Sequence, residues 1–133
     1  MGRLALLGLL VVLSAAAAAS ASGATSGLTA DRLAKLSADR TQATVTGSIT
    51  CTSGDSVTVS STVIEVVGRL THEATGSTDL SCTGGLQAWS VVVSTGIANS
   101  PPLVPGPANV FYSAFDETDQ TFNFTNGTVV LVR

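Results

Sequence analysis

Serines are numerous in this 133-residue sequence, but a single histidine limits the acid–base and nucleophilic chemistry that it could perform. The single histidine, His72, lies between Thr71 and Glu73 in a polar segment, and no serine occupies a Gly-x-Ser-x-Gly motif. A catalytic histidine needs a nucleophile and an orienting carboxylate within hydrogen-bonding distance. Because no such motif surrounds His72, we expect a surface histidine, no catalytic residue and no enzymatic activity.

The acidic residues suggest a different chemistry, the binding of a hard cation by carboxylate oxygens. Asp116, Glu117 and Asp119 lie close together in a segment that predicts a turn, and Ca²⁺ prefers such ligands. The segment lacks the D-x-D-x-D-G spacing of a helix–loop–helix calcium site, and acidic turns are commonly just solvated. The sequence therefore predicts no metal site and no cofactor, and it leaves calcium binding at Asp116–Asp119 open.

Cys51 and Cys82 are the only cysteines of the chain. No C-x-x-C motif and no neighbouring histidine favours a redox or metal site, so the pair predicts a structural disulfide. Each cysteine shares the parity of an apolar neighbour, Ile49 in one segment and Leu80 in the other. Since both lie at the ends of predicted strands, we expect the disulfide at the rim of the domain.

The N-terminus has the three-part pattern of a secretory signal peptide. Arg3 is followed by an apolar stretch from Leu4 to Leu13 and then by a tract of small residues. The stretch is too short for a membrane-spanning helix, which needs about 20 apolar residues. Residues 1–21 are predicted to be removed after Ala21, with cleavage after Ala24 as the alternative. We therefore expect a secreted protein with no integral membrane association after cleavage.

The charge balance argues against a nucleic-acid partner. Only 11% of the residues are charged, and the formal net charge is −3. The predicted mature chain keeps five basic and nine acidic residues, a net charge of −4. Nucleic-acid interfaces need clustered lysine and arginine. A cell-surface component or a small-molecule ligand remains as the expected partner.

Most of the chain alternates with a period of two. The odd positions from Ala43 to Cys51 are small or apolar and the even ones are Ser or Thr, which predicts a strand with one buried face. About seven such short strands predict an antiparallel immunoglobulin-like β-sandwich over residues 41–133, with an up-and-down barrel as the alternative. Residues 22–40 are predicted to be a linker with a first edge strand at 33–37.

Several irregularities interrupt the alternation. The parity of the apolar residues flips near Val63, which predicts either a β-bulge or burial of both faces there, and Gly76 interrupts a weak polar strand. All four prolines lie between Gly96 and Pro107, which predicts an ordered loop. The Asn126-Gly127 dipeptide is typical of a hairpin turn.

Aromatic residues near the proline loop predict either a binding surface or a cluster that the loop of residues 101–107 covers. Consecutive residues of a strand point to opposite faces, so Phe111 and Tyr112 cannot both enter the core. A partly exposed aromatic side chain beside a rigid loop suits ligand binding. The residues assigned to this surface are Trp89, Phe111, Tyr112, Pro101 and Pro102.

Four motifs within residues 41–133 support a family resemblance: Thr46-Gly47-x-x-x-Cys51, Leu80-x-Cys82, Trp89-x-Val91-x-Val93 and Pro105-Gly106-x-Ala108-x-Val110. Together they resemble a family of small secreted actinobacterial proteins of unknown function. The resemblance implies an immunoglobulin-like sandwich and export, and it implies no catalytic residue. Members often have a second cysteine pair in the last third, where this chain has Ala114 and Asn126.

The leading hypothesis from the sequence is a secreted, non-enzymatic module that binds an extracellular partner or serves as a structural component. A weaker likeness to the acidic apoproteins that carry enediyne antibiotics implies the alternative of a small-molecule carrier. Its ligand would lie in a cleft bordered by Trp89, Tyr112 and the 96–107 loop. A secreted protease inhibitor that presents the proline loop is a third hypothesis.

Overall fold

The computed structural model describes residues 25–133, so the predicted signal peptide at 1–21 lies outside the described residues. One short helix, α1 (Thr95–Ala98), is present there, and no helix in this part of the chain is long and apolar enough to cross a membrane. The other elements are strands. They are β1 (Thr25–Ala30), β2 (Leu33–Leu36), β3 (Gln42–Cys51), β4 (Ser56–Val67), β5 (Leu70–Ser81), β6 (Leu86–Ser94), β7 (Gly106–Asp116) and β8 (Thr121–Val132).

The strands form one sheet that closes on itself. Around the ring the order is β2, β8, β7, β4, β5, β6 and β3, and β3 pairs with β2 again. The closing pair, β3 with β6, is antiparallel and continuous from Gln42 opposite Ser94 to Thr50 opposite Leu86. The fold is therefore a closed seven-stranded β-barrel, and β1 covers the part of β3 that β2 leaves free.

The predicted immunoglobulin-like sandwich over residues 41–133 is wrong. A sandwich has two sheets packed face to face, each with free edge strands, whereas here β3 joins what would be the two edges. Strands with one buried face alternate in the same way in both architectures, so the sequence pattern could not separate them. The distinction depends on pairings between strands far apart in the chain.

Residues 25–36, predicted to belong to a linker with one edge strand, are part of the sheet. β2 lies between two neighbours, antiparallel to β3 and parallel to β8, with Ala34 opposite Leu131. β1 pairs with the second half of β3, where Thr25 lies opposite Cys51. The seven-stranded ring thus needs the segment that precedes residue 41.

The predicted alternation of β3 is confirmed, and the inward side chains of all seven ring strands fill the barrel. Burial of this apolar surface is the main favourable contribution to folding. The largest fully buried side chains are Trp89, Ile49, Leu103, Leu131, Val45, Val57, Val59, Val63, Val91, Val93, Val110 and Val129. Leu103 comes from the loop before β7.

The β-bulge predicted near Val63 is absent, because β4 keeps one register with β5 along its whole length. Ser61 and Glu65 point inward with Val63, while Ile64 and Val66 lie on the outer side. The apolar parity flips because two inward positions carry polar residues. The alternation of buried and outward residues therefore continues along β4, although the polar residue types at these two positions conceal it in the sequence.

β5 and β8 are also continuous. Gly76 lies within β5, where a Cβ atom would collide with the carbonyl oxygen of Val92 on β6, so the missing side chain permits the close approach of these strands. The hairpin turn predicted at Asn126-Gly127 is wrong. Both residues pair with β7, since the acidic turn at 117–120 already closes this hairpin.

The disulfide between Cys51 and Cys82 is confirmed, with a Cα–Cα distance of 5.6 Å. It lies at the rim of the barrel, as predicted, because Cys51 ends β3 and Cys82 follows β5. We call this the disulfide end; it contains the loops 52–55, 82–85 and 117–120. The opposite, proline end contains the loops 37–41, 68–69 and 95–105.

Replacing both cysteines by alanine should lower the free energy of unfolding by about 3–4 kcal/mol, because the unfolded chain is then no longer restricted by a loop of 31 residues. Urea unfolding of the purified protein measures this change. Chemical reduction of the wild-type protein should give a loss of similar size. A loss below about 1 kcal/mol in both experiments would contradict the prediction.

Gly47 should tolerate no side chain. A Cβ atom there would collide with the carbonyl oxygen of Thr29 and lie 2.6 Å from the indole ring of Trp89, which packs against Gly47. We expect Gly47→Ala to cost about 1–3 kcal/mol in urea unfolding, as overpacked cores do. Gly85→Ala is the matched control, since nothing lies within 4 Å of its Cβ position. Equal stabilities of the two variants would show that this contact is unimportant.

Candidate functional site

Three aspartates meet at the disulfide end. Asp55 ends the turn between β3 and β4, Asp116 is the last residue of β7, and Asp119 lies in the following turn. One carboxylate oxygen from each lies within 4.8 Å of the others. Asp116 is fully buried and Asp55 is 7% exposed, whereas Asp119 is open to solvent. We call these three residues the aspartate cluster.

Backbone hydrogen bonds hold Asp55 against the disulfide. The N–H of Asp55 donates to Thr52 O at 3.0 Å, which forms the turn. The carbonyl of Asp55 accepts from Cys82 N at 2.9 Å, and Cys82 O accepts from Gly54 N at 3.0 Å. Because the disulfide joins the same two segments, the position of Asp55 is fixed from both sides.

Hydrogen bonds from the β7–β8 loop fix the side chain of Asp116. Its Oδ1 accepts the backbone N–H groups of Thr118 and Asp119, both at 3.0 Å, in the manner of an Asx turn. The N–H of Glu117 donates to Ser56 O at 2.9 Å, which joins this loop to the start of β4. The β7–β8 loop is thus bonded to the residue that directly follows Asp55.

The negative charges of the cluster lie close enough to disturb proton binding. The pKa of Asp55 is raised from 3.8 to about 6, first by a hydrogen bond shared with the carboxyl of Asp116, then by burial, and then by the charges of Asp116 and Asp119. Two carboxylates can share a hydrogen bond only if one keeps a proton. The site therefore favours bound positive charge, either as a proton or as a cation.

Without divalent cations, the contribution of Asp55 to stability should fall as pH rises from about 4 to about 6. Unfolded Asp55 loses its proton near pH 3.8, whereas the folded group keeps it to about 6, so the folded state binds more protons in this window. The stabilisation is complete below the unfolded pKa and is lost as pH rises through the folded one.

Thermal unfolding followed by circular dichroism in EDTA measures this dependence. The Asp55→Asn variant has no group to titrate and should lack this part of the decline, while Asp79→Asn should keep it. Identical pH profiles for wild type and Asp55→Asn would contradict the assignment.

The cluster differs from the acidic group considered in the sequence. The structure brings Asp116 and Asp119 together but directs Glu117 elsewhere, to the hydroxyl of Thr58 at 2.6 Å. Asp55 takes its place, and sequence reasoning missed it. The signal was indirect: Asp55 precedes β4 and Asp116 ends β7, and these strands pair antiparallel with Val57 opposite Asp116.

The predicted binding-surface residues do not share one surface. Trp89 and Tyr112 lie inside the barrel with ring centroids 5.9 Å apart, and the Trp89 indole N–H donates to Ser48 O at 3.1 Å. Pro101 and Pro102 are exposed at the proline end. Of the five predicted residues, only Phe111 lies on the outer side of a barrel strand, β7.

Phe111 belongs to a different surface. All four phenylalanines of the chain lie on the outer side of the β7–β8 hairpin, and we call them the aromatic face: Phe111, Phe115, Phe122 and Phe124. Phe115 and Phe122 lie directly opposite each other, and the rings of Phe111 and Phe124 stack at 6.3 Å. Phe122 and Phe124 are 61% and 60% exposed.

The proline loop is fixed to the barrel beneath it. Glu65 Oε1 accepts the N–H of Val104 at 2.5 Å, and Leu103, which is fully buried, donates its N–H to Arg40 O at 2.8 Å. His72 is buried, in contrast to the predicted surface position, and its Nδ1 lies 3.4 Å from Glu65 Oε1. The side chain that could have served in catalysis instead packs under the loop.

Surface clefts do not coincide with the predicted ligand cleft. Four clefts on the described residues have volumes of about 190, 200, 320 and 550 Å³. None of the four is lined by Trp89 or Tyr112. The smallest runs between β1 and β8 and is lined by Thr25, Asn123 and Phe124 among others.

Comparison with known proteins does not assign the chain to a family. No protein-family model matches the sequence, and no curated protein matches it significantly. The resemblance to small secreted actinobacterial proteins therefore stays a prediction.

Proposed function

We propose that the protein is an exported, non-enzymatic module that binds an uncharged component of the cell surface through its aromatic face. The observation that carries the proposal is the exposure of Phe122 and Phe124 on a barrel whose interior is already filled. Exposed aromatic patches on soluble domains commonly mark interaction sites.

The composition of the face supports an uncharged partner. Ser113 lies opposite Phe124, and Asn126 lies opposite Phe111, so the residues among the four rings are polar and neutral. Hydroxyl and amide groups next to aromatic rings offer hydrogen bonds beside apolar contact area.

Export is supported by the signal-peptide pattern of residues 1–21 and is compatible with the disulfide, which persists in oxidising compartments. The absence of a catalytic role for His72 is supported by its position beneath the proline loop, where Glu65 also bonds to the backbone of Val104.

Retention on cells tests the proposal. The full chain is expressed in its source organism, and immunoblots measure the fraction bound to cells against that in the medium. We expect wild type on the cells and about a tenfold shift of Phe122→Thr/Phe124→Thr into the medium, since the main apolar contacts are lost. Leu86→Thr/Val92→Thr is the matched control, because both side chains are exposed on β6, outside the aromatic face.

Wild-type protein found wholly in the medium, or equal retention of all three proteins, would contradict surface binding. Protein kept inside the cell with its N-terminus intact would contradict export. Thermal unfolding of the purified variants establishes that each is folded, and Phe124→Thr alone, with a smaller shift into the medium, replaces the double variant if that one unfolds.

A further inference from the structure

The aspartate cluster has an unbalanced set of hydrogen-bonding groups. Oδ2 of Asp116 and Oδ2 of Asp55 are buried, and no N–H or hydroxyl group of the described residues donates to them. A buried carboxylate oxygen without a donor is costly, and nearly all such atoms in folded proteins have a partner. Two of them in one cluster indicate that the site binds something positively charged, either a proton shared by the two carboxyl groups or a cation.

The orientation of Asp116 is consistent with this. Its Oδ1 is held by the N–H groups of Thr118 and Asp119, so the Oδ2 atom has no freedom to turn towards another donor. The backbone of Asp55 is fixed beside Cys82 by hydrogen bonds in both directions. The negative atoms are therefore held near each other by the fold despite their repulsion.

Among the described residues, the loops of the disulfide end offer no basic side chain to neutralise them. The loops of the disulfide end and the adjoining strand ends carry five of the nine acidic residues, and the segments 51–58, 79–87 and 114–123 contain no Lys, Arg or His. The acidic residues are Asp55, Asp79, Asp116, Glu117 and Asp119. The balancing charge must come from solution.

We propose that Asp55, Asp116 and Asp119 bind a calcium ion between the β3–β4 and β7–β8 loops. Carboxylates alone suit Ca²⁺, Mg²⁺ or Mn²⁺ rather than metals that prefer nitrogen or sulfur. Ca²⁺ accepts irregular sets of six to eight oxygens, which two fixed carboxylates, the exposed Asp119 and water can supply, whereas Mg²⁺ demands near-ideal octahedral geometry.

The ion would fasten the hairpin that carries the aromatic face to the disulfide end of the barrel. The site is nevertheless separate from the aromatic face, and its failure would leave the proposed cell-surface binding untouched. An extracellular location suits it, since calcium sites of extracellular modules bind in about the 10⁻⁴–10⁻³ M range.

Isothermal titration of the disulfide-bonded protein with CaCl₂, up to about 10 mM at neutral pH, tests the proposal. We expect saturable binding of one ion, with a higher unfolding temperature in calcium. Asp116→Asn should weaken binding at least about tenfold, as loss of a metal-site residue commonly does. Asp79→Asn/Glu117→Gln removes two charges from the same end without touching the three ligands, and should change the affinity by less than about threefold.

Asp119→Asn, at an exposed position, provides the same test if Asp116→Asn does not fold. No saturable binding by folded wild type overturns the proposal. Equal loss of affinity in the ligand variant and in Asp79→Asn/Glu117→Gln also overturns it, because diffuse negative charge would then explain the binding. Equal affinity for MgCl₂ overturns the assignment to calcium.

Discussion

Closure of the sheet through β3 is the constraint on which the rest of the structure depends. β3 pairs with β6 on one side and with β1 and β2 on the other, so it joins strands that would otherwise be edges. A closed ring has only one inner face, and small barrels fill it with side chains. Trp89 packs against Gly47 within that interior, and Leu103 enters from the proline end. No cavity for a carried ligand is needed to explain the alternating pattern.

Pairing of β4 with β7 decides where the carboxylates meet. It places the β3–β4 and β7–β8 loops at the same end, next to the disulfide, and so unites carboxylates from distant parts of the chain. The outer side of the β7–β8 hairpin carries the phenylalanines. The two candidate sites are therefore a charged loop cluster and an uncharged strand surface. Each is built on a barrel made rigid by its filled interior.

The all-β class, the inward residues of β3 and the disulfide at the rim could be predicted, because they depend on local alternation and on two cysteines. The ring could not, since the β3–β6 and β2–β8 pairings leave no local pattern. Buried polar residues caused two wrong predictions. The inward position of Glu65 shifted the apolar pattern and so suggested a β-bulge, and His72 was expected at the surface. Two of the three residues of the aspartate cluster, Asp116 and Asp119, belong to a recognisable acidic segment, but Asp55 required the register of β4 with β7.

Interstrand nuclear Overhauser effects in isotopically labelled, disulfide-bonded protein test the closed ring most directly. The closed ring predicts contacts of β3 with both β6 and β2. It also predicts parallel-type contacts between β2 and β8, including Ala34 with Leu131. A β3 that contacts β6 while β2 shows no contact with β8 would describe an open sheet. That result would contradict the closed barrel, whose filled interior supports both candidate sites.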